Sequence, residues 1–346
     1  MKKIYFIFLG MAALLVAGAA IVSCSEKNLV VEEIPEYTYS VSVNATKGGD
    51  TETRALTLDG TTLNASWLTS ENVYVKKGLE WASEGTLKPQ ENGTSAYLKG
   101  ALTFGSPIAP DNELFLQFPK SGEPDYTGQK GTIADIAANF DYATATVTVD
   151  EVNGETGILT TTAANFVNQQ AIVKFNLLHS DGAQYTSVDV SSLTVNGSID
   201  VTPASASSVL YVAMPGFATG SSLTLSATDN SSRNYSFSKA DFPQAIDNGQ
   251  YYEFNIKFKP VITVTSENPM TVASNKASSG HTITYSLTNV AADAKVTATS
   301  SNATITIDST NETTVSFSVA KKYTAGTITL SYYGATPVVI NVNHPA

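Results

Sequence analysis

Cys24 carries the most reactive side chain of the sequence and is the only cysteine among 346 residues. It follows an apolar stretch, residues 4–20, which Lys2 and Lys3 precede. A charged start, an apolar stretch and small residues before a cleavage point are the three parts of a secretory signal. Because the thiol stands directly after the small residues, we expect Cys24 to begin the mature chain.

The tetrapeptide Ile21-Val22-Ser23-Cys24 resembles a bacterial lipobox, in which the cysteine is diacylated before signal peptidase II cleaves ahead of it. The resemblance implies that residues 1–23 are a lipoprotein signal peptide and that acyl chains such as palmitate attach Cys24 to the membrane. Several acyl chains on one residue give stable anchoring, which a single chain does not. The alternative is an ordinary signal peptide or an N-terminal membrane helix, since the apolar stretch is about long enough to cross a bilayer.

Residue types that support catalysis are sparse. The three histidines, His179, His281 and His344, stand in different contexts with no nucleophile motif beside them. The sequence has no G-x-S-x-G, phosphate-loop or HExxH motif. It also has no His/Cys cluster and no EF-hand loop. We therefore predict that the protein is not an enzyme and uses no cofactor or metal.

Aromatic side chains are the remaining candidates for ligand contact. Trp81, Tyr332 and Tyr333 combine an apolar face with a polar tip, which suits stacking on sugar rings. Adjacent strand residues point to opposite faces, so one of the two tyrosines is expected to pack in a core. Trp67 is expected to be structural, whereas the polar neighbours of Trp81 favour an exposed position.

The charge of the chain excludes one class of partner. The formal net charge is −11 at pH 7, and Lys and Arg form no cluster along the sequence. Binding to phosphate backbones needs clustered basic residues, so nucleic acid is not an expected partner. With one cysteine the chain has no internal disulfide, and its stability must come from buried apolar area.

The spacing of apolar residues predicts an all-β chain. Residues 37–44 alternate cleanly, with Tyr37, Tyr39, Val41 and Val43 on one face, which predicts a half-buried strand. Similar runs, separated by turn residues, recur to the end of the sequence, among them residues 113–118, 209–214, 223–228, 251–258 and 314–319.

Two local patterns stand out among these strands. Apolar residues at helical spacing predict one short helix at residues 133–140. Asn196-Gly197 between two alternating runs predicts a hairpin with a type I′ turn, because that turn needs positive φ at both positions.

The distribution of strands and turns predicts three β-sandwiches after the signal peptide. Residues 24–36 are acidic and lack periodicity, so we expect a tether. Residues 37–177 and 178–259 are expected to form two sandwiches in tandem. Residues 260–346, beginning at Pro260, hold seven short strands and are expected to form an immunoglobulin-like sandwich.

Seven short motifs follow one another between residues 53 and 171. They are Thr53-Arg54-Ala55-Leu56, Asn64-Ala65-Ser66-Trp67, Val73-Tyr74-Val75-Lys76, Leu114-Phe115-Leu116-Gln117-Phe118-Pro119, Tyr126-Thr127-Gly128-Gln129, Phe140-Asp141-Tyr142-Ala143 and Phe166-Val167-Asn168-Gln169-Gln170-Ala171. In this order and spacing they resemble the fimbrillin family, the type V pilus subunits and relatives of anaerobic gut and oral bacteria. The resemblance covers roughly residues 37–259 and implies two transthyretin-like β-sandwiches, with roles as pilus stalk, tip, anchor or free surface adhesin.

The C-terminal part carries a second resemblance. Its motifs are Asn268-Pro269-Met270-Thr271-Val272, Thr314-Val315-Ser316-Phe317-Ser318-Val319 and Gly326-Thr327-Ile328-Thr329-Leu330-Ser331-Tyr332. They resemble a BACON-type domain, a β-sandwich often found beside carbohydrate-active modules. Asn302-Ala303-Thr304-Ile305 stands where that family commonly has an aromatic Asp-Trp pair, which weakens an inference to sugar binding.

These resemblances imply a cell-surface lipoprotein of the fimbrillin family, located at the outer membrane or in a fimbrium. It would act in adhesion or as an accessory or tip subunit of a pilus assembled by donor-strand exchange. Its partners would be other pilus subunits or ligands on host or bacterial surfaces. The alternative is a surface polysaccharide-binding lipoprotein of a glycan-uptake system, with glycan contacts at Trp81, Tyr332 and Tyr333.

The link after the first strand is polar and contains glycine, a composition typical of segments that proteases cut. The fimbrillin resemblance implies maturation between Arg54 and Ala55 by an Arg-specific protease. The cut would release the strand with Tyr37, Tyr39, Val41 and Val43, and a neighbouring subunit would replace it by β-strand addition. An anchor or free adhesin would instead keep this strand uncut.

Overall fold

The computed structural model describes residues 36–47, the backbone of 57–59 and 62–64, and residues 66–273 and 275–345. Within these ranges the chain is almost entirely β-strand, with one short helix. The predicted all-β architecture of sandwiches is confirmed. Among the described residues, no helix has the length and apolar character needed to cross a membrane.

Eleven strands lie in the described residues of the first sandwich region. They are β1 (Tyr37–Lys47), β2 (Thr57–Asp59), β3 (Thr62–Asn64), β4 (Tyr74–Lys77), β5 (Glu80–Trp81), β6 (Lys88–Pro89), β7 (Ser95–Phe104), β8 (Glu113–Phe118), β9 (Ala143–Asn153), β10 (Ile158–Thr161) and β11 (Ala164–Asn168). Strands β2 and β3 form a separate hairpin, and the other nine form one continuous sheet in the order β5-β4-β8-β9-β10-β1-β7-β6, with β11 paired to β1 and β9.

Strand β1 lies in the interior of this sheet. It pairs antiparallel with β7 over ten residues, from Tyr37 opposite Phe104 to Thr46 opposite Ser95. On its other side it runs parallel to β10 and then to β11. Parallel pairs need long crossover connections, so both parallel partners of β1 come from much later in the chain.

The helix α1 (Ile133–Asn139) confirms the predicted short helix. Its N-cap is Thr132, whose side-chain oxygen accepts a hydrogen bond from the Asp135 N–H, a common way of satisfying a free helix donor. The segment that carries α1 packs on the core of the second sandwich through Tyr126, Ile136 and Tyr142.

The second sandwich has eight strands. They are β12 (Ala171–Ser180), β13 (Tyr185–Ser187), β14 (Ser192–Val195), β15 (Ile199–Val201), β16 (Val209–Met214), β17 (Leu223–Thr228), β18 (Asn234–Lys239) and β19 (Tyr251–Phe258). Two four-stranded sheets result, one formed by β12, β13, β16 and β19 and the other ordered β15-β14-β17-β18.

The second sandwich begins earlier in the chain than the sequence pattern predicted, at the start of β12. The expected boundary between residues 177 and 178 falls inside the strand, because all of β12 pairs with β16, β13 and β19. The alternation of apolar residues along β12 does not distinguish a strand of the second sandwich from a strand of the first. The predicted type I′ turn is present, with φ of 50° at Asn196 and 71° at Gly197.

The third sandwich also has eight strands. They are β20 (Val261–Val264), β21 (Met270–Thr271), β22 (Ser278–Thr288), β23 (Thr297–Ser300), β24 (Ile305–Thr310), β25 (Thr314–Val319), β26 (Gly326–Ser331) and β27 (Val338–Asn343). They form two four-stranded sheets, ordered β20-β22-β25-β24 and β21-β27-β26-β23. Phe317, Ile328 and Ile340 are fully buried in the core of this sandwich.

Candidate functional site

The inward face of β1 is the starting point of the candidate site. Tyr39, Val41, Val43 and Ala45 are buried in the core of the first sandwich, and Tyr37 is half-buried against it. The predicted inward face is therefore correct, and the strand continues three residues beyond the predicted end at Asn44.

Each end of this apolar face carries a polar group with a fixed partner. Near the start, the Tyr39 hydroxyl oxygen accepts a hydrogen bond of 2.8 Å from the Ile108 N–H. At the other end, Lys47 occupies the last inward position, and its side chain is fully buried. Its ammonium group contacts both carboxylate oxygens of Glu71, at 2.6 and 2.5 Å.

The ammonium group of Lys47 also lies against two aromatic rings. Its nitrogen is 4.3 Å from the ring centroid of Trp67 and 4.4 Å from that of Phe118. A cation over an aromatic face is attracted by the ring quadrupole, more strongly where water is excluded. We call Trp67, Phe118 and Glu71 the cation pocket.

Neighbouring elements hold the cation pocket in place. Trp67 exchanges two backbone hydrogen bonds with Gly93, and its ring packs edge-on against Phe166 at 5.3 Å. Phe166 stands directly opposite Lys47 in the β1–β11 pairing. Glu71 accepts a hydrogen bond of 3.0 Å from the Leu68 N–H, which orients its carboxylate.

The two partners of this ion pair belong to different segments. Lys47 ends β1, whereas every member of the cation pocket follows the polar link. Glu71 keeps 20% of its side chain exposed and borders a cavity of about 420 Å³ beside α1. Removing one partner of a buried ion pair leaves the other without compensation, at a cost of about 3–5 kcal/mol.

Three predicted site residues, Cys24, Arg54 and Ala55, lie outside the described residues, and acylation and cleavage stay predictions. Trp67 is fully buried, as expected of a structural residue. The sequence reasoning missed Lys47 and Glu71. A signal for Lys47 was present, because it continues the inward parity of Tyr39, Val41 and Val43, whereas nothing local to Glu71 marks it.

Trp81 lies at the sheet edge and is half-buried. Its ring meets Phe115 edge-on at 6.4 Å, and the Lys76 ammonium lies 5.0 Å from the Trp81 centroid and 4.7 Å from that of Phe115. Two aromatic rings and a cation thus share this edge of the first sandwich. A glycan contact at Trp81 stays a prediction.

The two candidate tyrosines lie where the second and third sandwiches meet. The Tyr332 hydroxyl donates a hydrogen bond of 3.2 Å to the Ser180 carbonyl, and the Ser180 hydroxyl donates to the Tyr333 carbonyl at 2.9 Å. Tyr333 keeps 47% of its surface exposed and packs edge-on against Tyr185. Tyr332 thus has a structural contact, and sugar contact at either tyrosine stays a prediction.

Asn289 joins the same two sandwiches. Its amide nitrogen donates to the Ser236 and Lys259 carbonyls at 3.1 and 2.8 Å, and its oxygen accepts from the Ser236 N–H at 2.7 Å. Its φ is 62°, a left-handed conformation that Asn tolerates better than most residues.

A buried polar cluster lies beside this contact. The Tyr235 hydroxyl lies 3.2 Å from Asp229 and 3.5 Å from the His179 ring, and Asp229 pairs with Arg233 at 2.7 Å. Burial, with a smaller contribution from the positive charge of Arg233, lowers the pKa of His179. These two effects outweigh the opposing effects of the hydrogen bond with the Val290 backbone and of the charges of Asp181 and Asp229. Burial also raises the pKa of Tyr235 to about 12.

The other two histidines have separate surroundings. His281 lies 2.8 Å from the Ser278 hydroxyl and packs on Phe317, and His344 contacts the ring of Tyr323. In the part of the chain that the structure describes, no group of three or more His, Cys, Asp or Glu side chains is arranged to hold a metal ion.

Comparison with known proteins finds similarity in solved structures. No protein-family model matches the chain, and no curated protein matches it. A fimbrial protein from Bacteroides ovatus is 12% identical, over 64% of this chain and 49% of that one, with a TM-score of 0.32. This chain therefore spans about half the length of that protein.

Two further solved structures are similar. A protein from Bacteroides uniformis, described as a candidate for cell adhesion, is 14% identical over 63% of this chain and 93% of its own, with a TM-score of 0.32. The tip fimbrial protein Mfa3 from Porphyromonas gingivalis, with a C-terminal truncation, is 11% identical over 73% of this chain and 99% of its own, with a TM-score of 0.28. All three neighbours are described as fimbrial or cell adhesion proteins.

Proposed function

We propose that the protein is a non-enzymatic subunit of the bacterial cell surface that acts in adhesion, as an accessory or tip subunit of a pilus. In this proposal lipid on Cys24 holds the precursor at the outer membrane. Cleavage after Arg54 releases β1, and a strand from another subunit then takes its place. Other pilus subunits are the partners, together with ligands on the surface to which the cell adheres.

The position of β1 carries this proposal. It is an interior strand of the sheet, hydrogen-bonded on both sides. It also comes before the other described strands in the sequence, and one polar link joins it to the strands that follow. Losing Tyr39, Val41 and Val43 from the core would forfeit roughly 1.5–3 kcal/mol for each side chain. Those losses are comparable with the stability of about 5–15 kcal/mol expected for a domain, so the open groove needs a new strand.

The chain is a better acceptor than donor of a strand in this proposal. Its last strand, β27, is already held between β26 and β21, and Ile340 and Val342 are fully buried. Releasing β27 would open the core of the third sandwich. A subunit that accepts a strand and keeps β27 in its own sandwich fits the end of a fibre.

N-terminal sequencing of the protein from native cell surfaces tests the maturation step. Pilus fractions are expected to contain a chain that begins at Ala55. An intact chain beginning at acylated Cys24 in those fractions would contradict strand release. For the anchor, Cys24→Ala is expected to release the protein from the membrane or to leave it unprocessed. A variant that still fractionates with the membrane and is processed as before would contradict the lipoprotein assignment.

The second candidate function is a surface polysaccharide-binding lipoprotein, and the aromatic edge at Trp81 and Phe115 favours it. Calorimetric titration of the whole mature chain with soluble polysaccharides tests this function. Saturable binding that Trp81→Ala abolishes would favour the polysaccharide binder over the pilus subunit. Tyr333→Ala is the second variant for this titration, because Tyr333 remains exposed.

A further inference from the structure

We propose that the cation pocket selects which strand can replace β1, by requiring a lysine or arginine at the position of Lys47. The partner is then a pilus-type subunit whose donor strand alternates apolar residues and ends its inward face on a cation. This inference rests on the proposed exchange of β1 and adds the chemistry of the incoming strand.

Apolar alternation alone does not fix the register of the strand that replaces β1. Alternation specifies a strand only to within two residues, because a one-residue slip turns every side chain to the other face whereas a two-residue slip does not. The apolar side chains Val41, Val43 and Ala45 therefore leave the register open. A slip by two residues moves Lys47 by about 6.8 Å, out of reach of Glu71.

When β1 leaves, Glu71 and the rings of Trp67 and Phe118 stay with the sandwich, and the Lys47 ammonium that contacts all three departs. A replacement strand without a cation at this position would cover the Glu71 carboxylate again and leave its charge uncompensated. An incoming cation restores the ion pair and both ring contacts together.

The opposite end of the groove carries a second polar group. There the Ile108 N–H donates a hydrogen bond to the hydroxyl oxygen of Tyr39, which stands eight residues before Lys47. A donor strand that carries a tyrosine and a cation at this spacing satisfies both ends in a single register. Residues 338–346 contain no lysine or arginine, so these residues of a second copy do not meet the requirement.

Peptide replacement in the mature full-length chain tests the inference. Cys24→Ser prevents acylation, and a recognition sequence for a site-specific protease within residues 48–53 permits cleavage. The cut protein is unfolded and refolded with excess fluorescent peptide of residues 36–47, and bound peptide is measured by anisotropy and native mass spectrometry. Because only the peptide is varied, the acceptor folds from the same chain in every reaction.

Four peptides are compared. The natural sequence is expected to bind, and Asn44→Met, which alters an exposed position of the same strand, is expected to bind equally well. Lys47→Met is expected to bind about tenfold more weakly, a reduced effect because Glu71 is partly exposed. A peptide with Ala45→Lys and Lys47→Ala keeps the composition and is expected to bind at least as weakly as Lys47→Met.

The outcomes separate the inference from the proposed function. Equal binding of the natural and Lys47→Met peptides would overturn the cation requirement and leave strand replacement intact. Failure of every peptide, including the natural one, would overturn strand replacement and the inference with it. In an acceptor with Glu71→Gln, the preference for the natural peptide over the Lys47→Met peptide is expected to shrink, and an undiminished preference would overturn the assigned role of Glu71.

Discussion

Strands β1 and β27 have similar surroundings and different chemistry. Each has an antiparallel partner on one side, β7 or β26, and parallel partners on the other, β10 and β11 or β21. The inward face of β27 carries the aliphatic side chains Ile340 and Val342. The inward face of β1 ends on a buried lysine.

The difference shows two ways of holding a terminal strand in a sheet. Aliphatic packing is non-directional, so any strand of suitable size and alternation satisfies it. The Lys47–Glu71 pair depends on geometry and charge, and it discriminates between strands that are equally apolar. The first sandwich therefore carries partner information that the third lacks at its terminal strand.

Strand deletion is the strongest way to test this comparison. Removing residues 36–47 is expected to abolish the folding transition of the first sandwich. The loss of several buried side chains, at roughly 1.5–3 kcal/mol each, exceeds the free energy of unfolding of that sandwich. Differential scanning calorimetry should then show the transitions of the other two sandwiches alone. Deleting residues 338–345 is the matched control and should remove the transition of the third sandwich instead. A first-sandwich transition that survives the loss of β1 would contradict the central role of that strand.

Substitution of the anchoring lysine comes next in size. Lys47→Ala is expected to lower the free energy of unfolding of the first sandwich by about 3 kcal/mol, because Glu71 is left beside two aromatic rings without its cation. Denaturant unfolding of Lys47→Met, Glu71→Leu should show most of this stability restored, since no charge then remains buried. If the double variant is as unstable as Lys47→Ala, packing and not charge explains the loss.

The contact between the second and third sandwiches is expected to respond to pH. The pKa of His179 is lowered from its ordinary value of 6.5, so the unfolded chain binds more protons than the folded one once the pH falls through that value. Stability is therefore expected to fall with decreasing pH below about 6.5, by up to about 1.4 kcal/mol per pH unit, until folded His179 is also protonated. Asp229, Arg233, Asp181 and Tyr235 are the ionisable groups that face this ring.

Calorimetry between pH 5 and pH 8 measures this dependence. The variant His179→Gln should flatten the pH profile of the second and third sandwiches and leave that of the first unchanged. His281→Gln, which removes the half-buried histidine beside Phe317, is the control. An unaltered slope in His179→Gln would assign the acid response to the carboxylates.

The smallest expected effect is that of a single hydroxyl. Tyr332→Phe removes the hydrogen bond to the Ser180 carbonyl and is expected to destabilise the contact of the two sandwiches by about 1 kcal/mol. Tyr333→Phe is the control, because the exposed Tyr333 ring packs against Tyr185 without depending on its hydroxyl. Equal stability of the two variants in denaturant unfolding would contradict a stabilising role of the Tyr332 hydroxyl.

Much of the strand pattern could be predicted from periodicity. The predicted bounds of β8, β16, β17, β19 and β25 agree with the structure residue for residue. Several short strands, among them β6, β10 and β21, were not predicted, because two to four residues are too few to show an alternation. Strand β21 pairs with the distant β27, and β10 pairs with the distant β1 as well as with its neighbour β9.

The candidate site was predictable on one side only. Parity along β1 places Lys47 inward, and a sequence argument that follows the alternation past Asn44 reaches it. Glu71 is separated from Lys47 by 23 intervening residues and becomes its partner through the folding of the sheet around Trp67. The continuity of β12 with the second sandwich was missed for a similar reason, since alternation does not show which sheet a strand joins.

The connection between β11 and β12 has a mechanical consequence. Only Gln169 and Gln170 separate the two strands, and two residues span at most about 7 Å when fully extended. Gln169 is tied to Thr144 and Gln170 to Asp141, so the connection has little slack. Tension applied to a strand in the β1 groove passes into β11, its parallel neighbour, and then into β12. From β12 the force enters the eight-residue pairing of β12 with β19, whose hydrogen bonds share a load along the strands. We therefore expect the first two sandwiches to respond to tension along a fibre as one stiff unit.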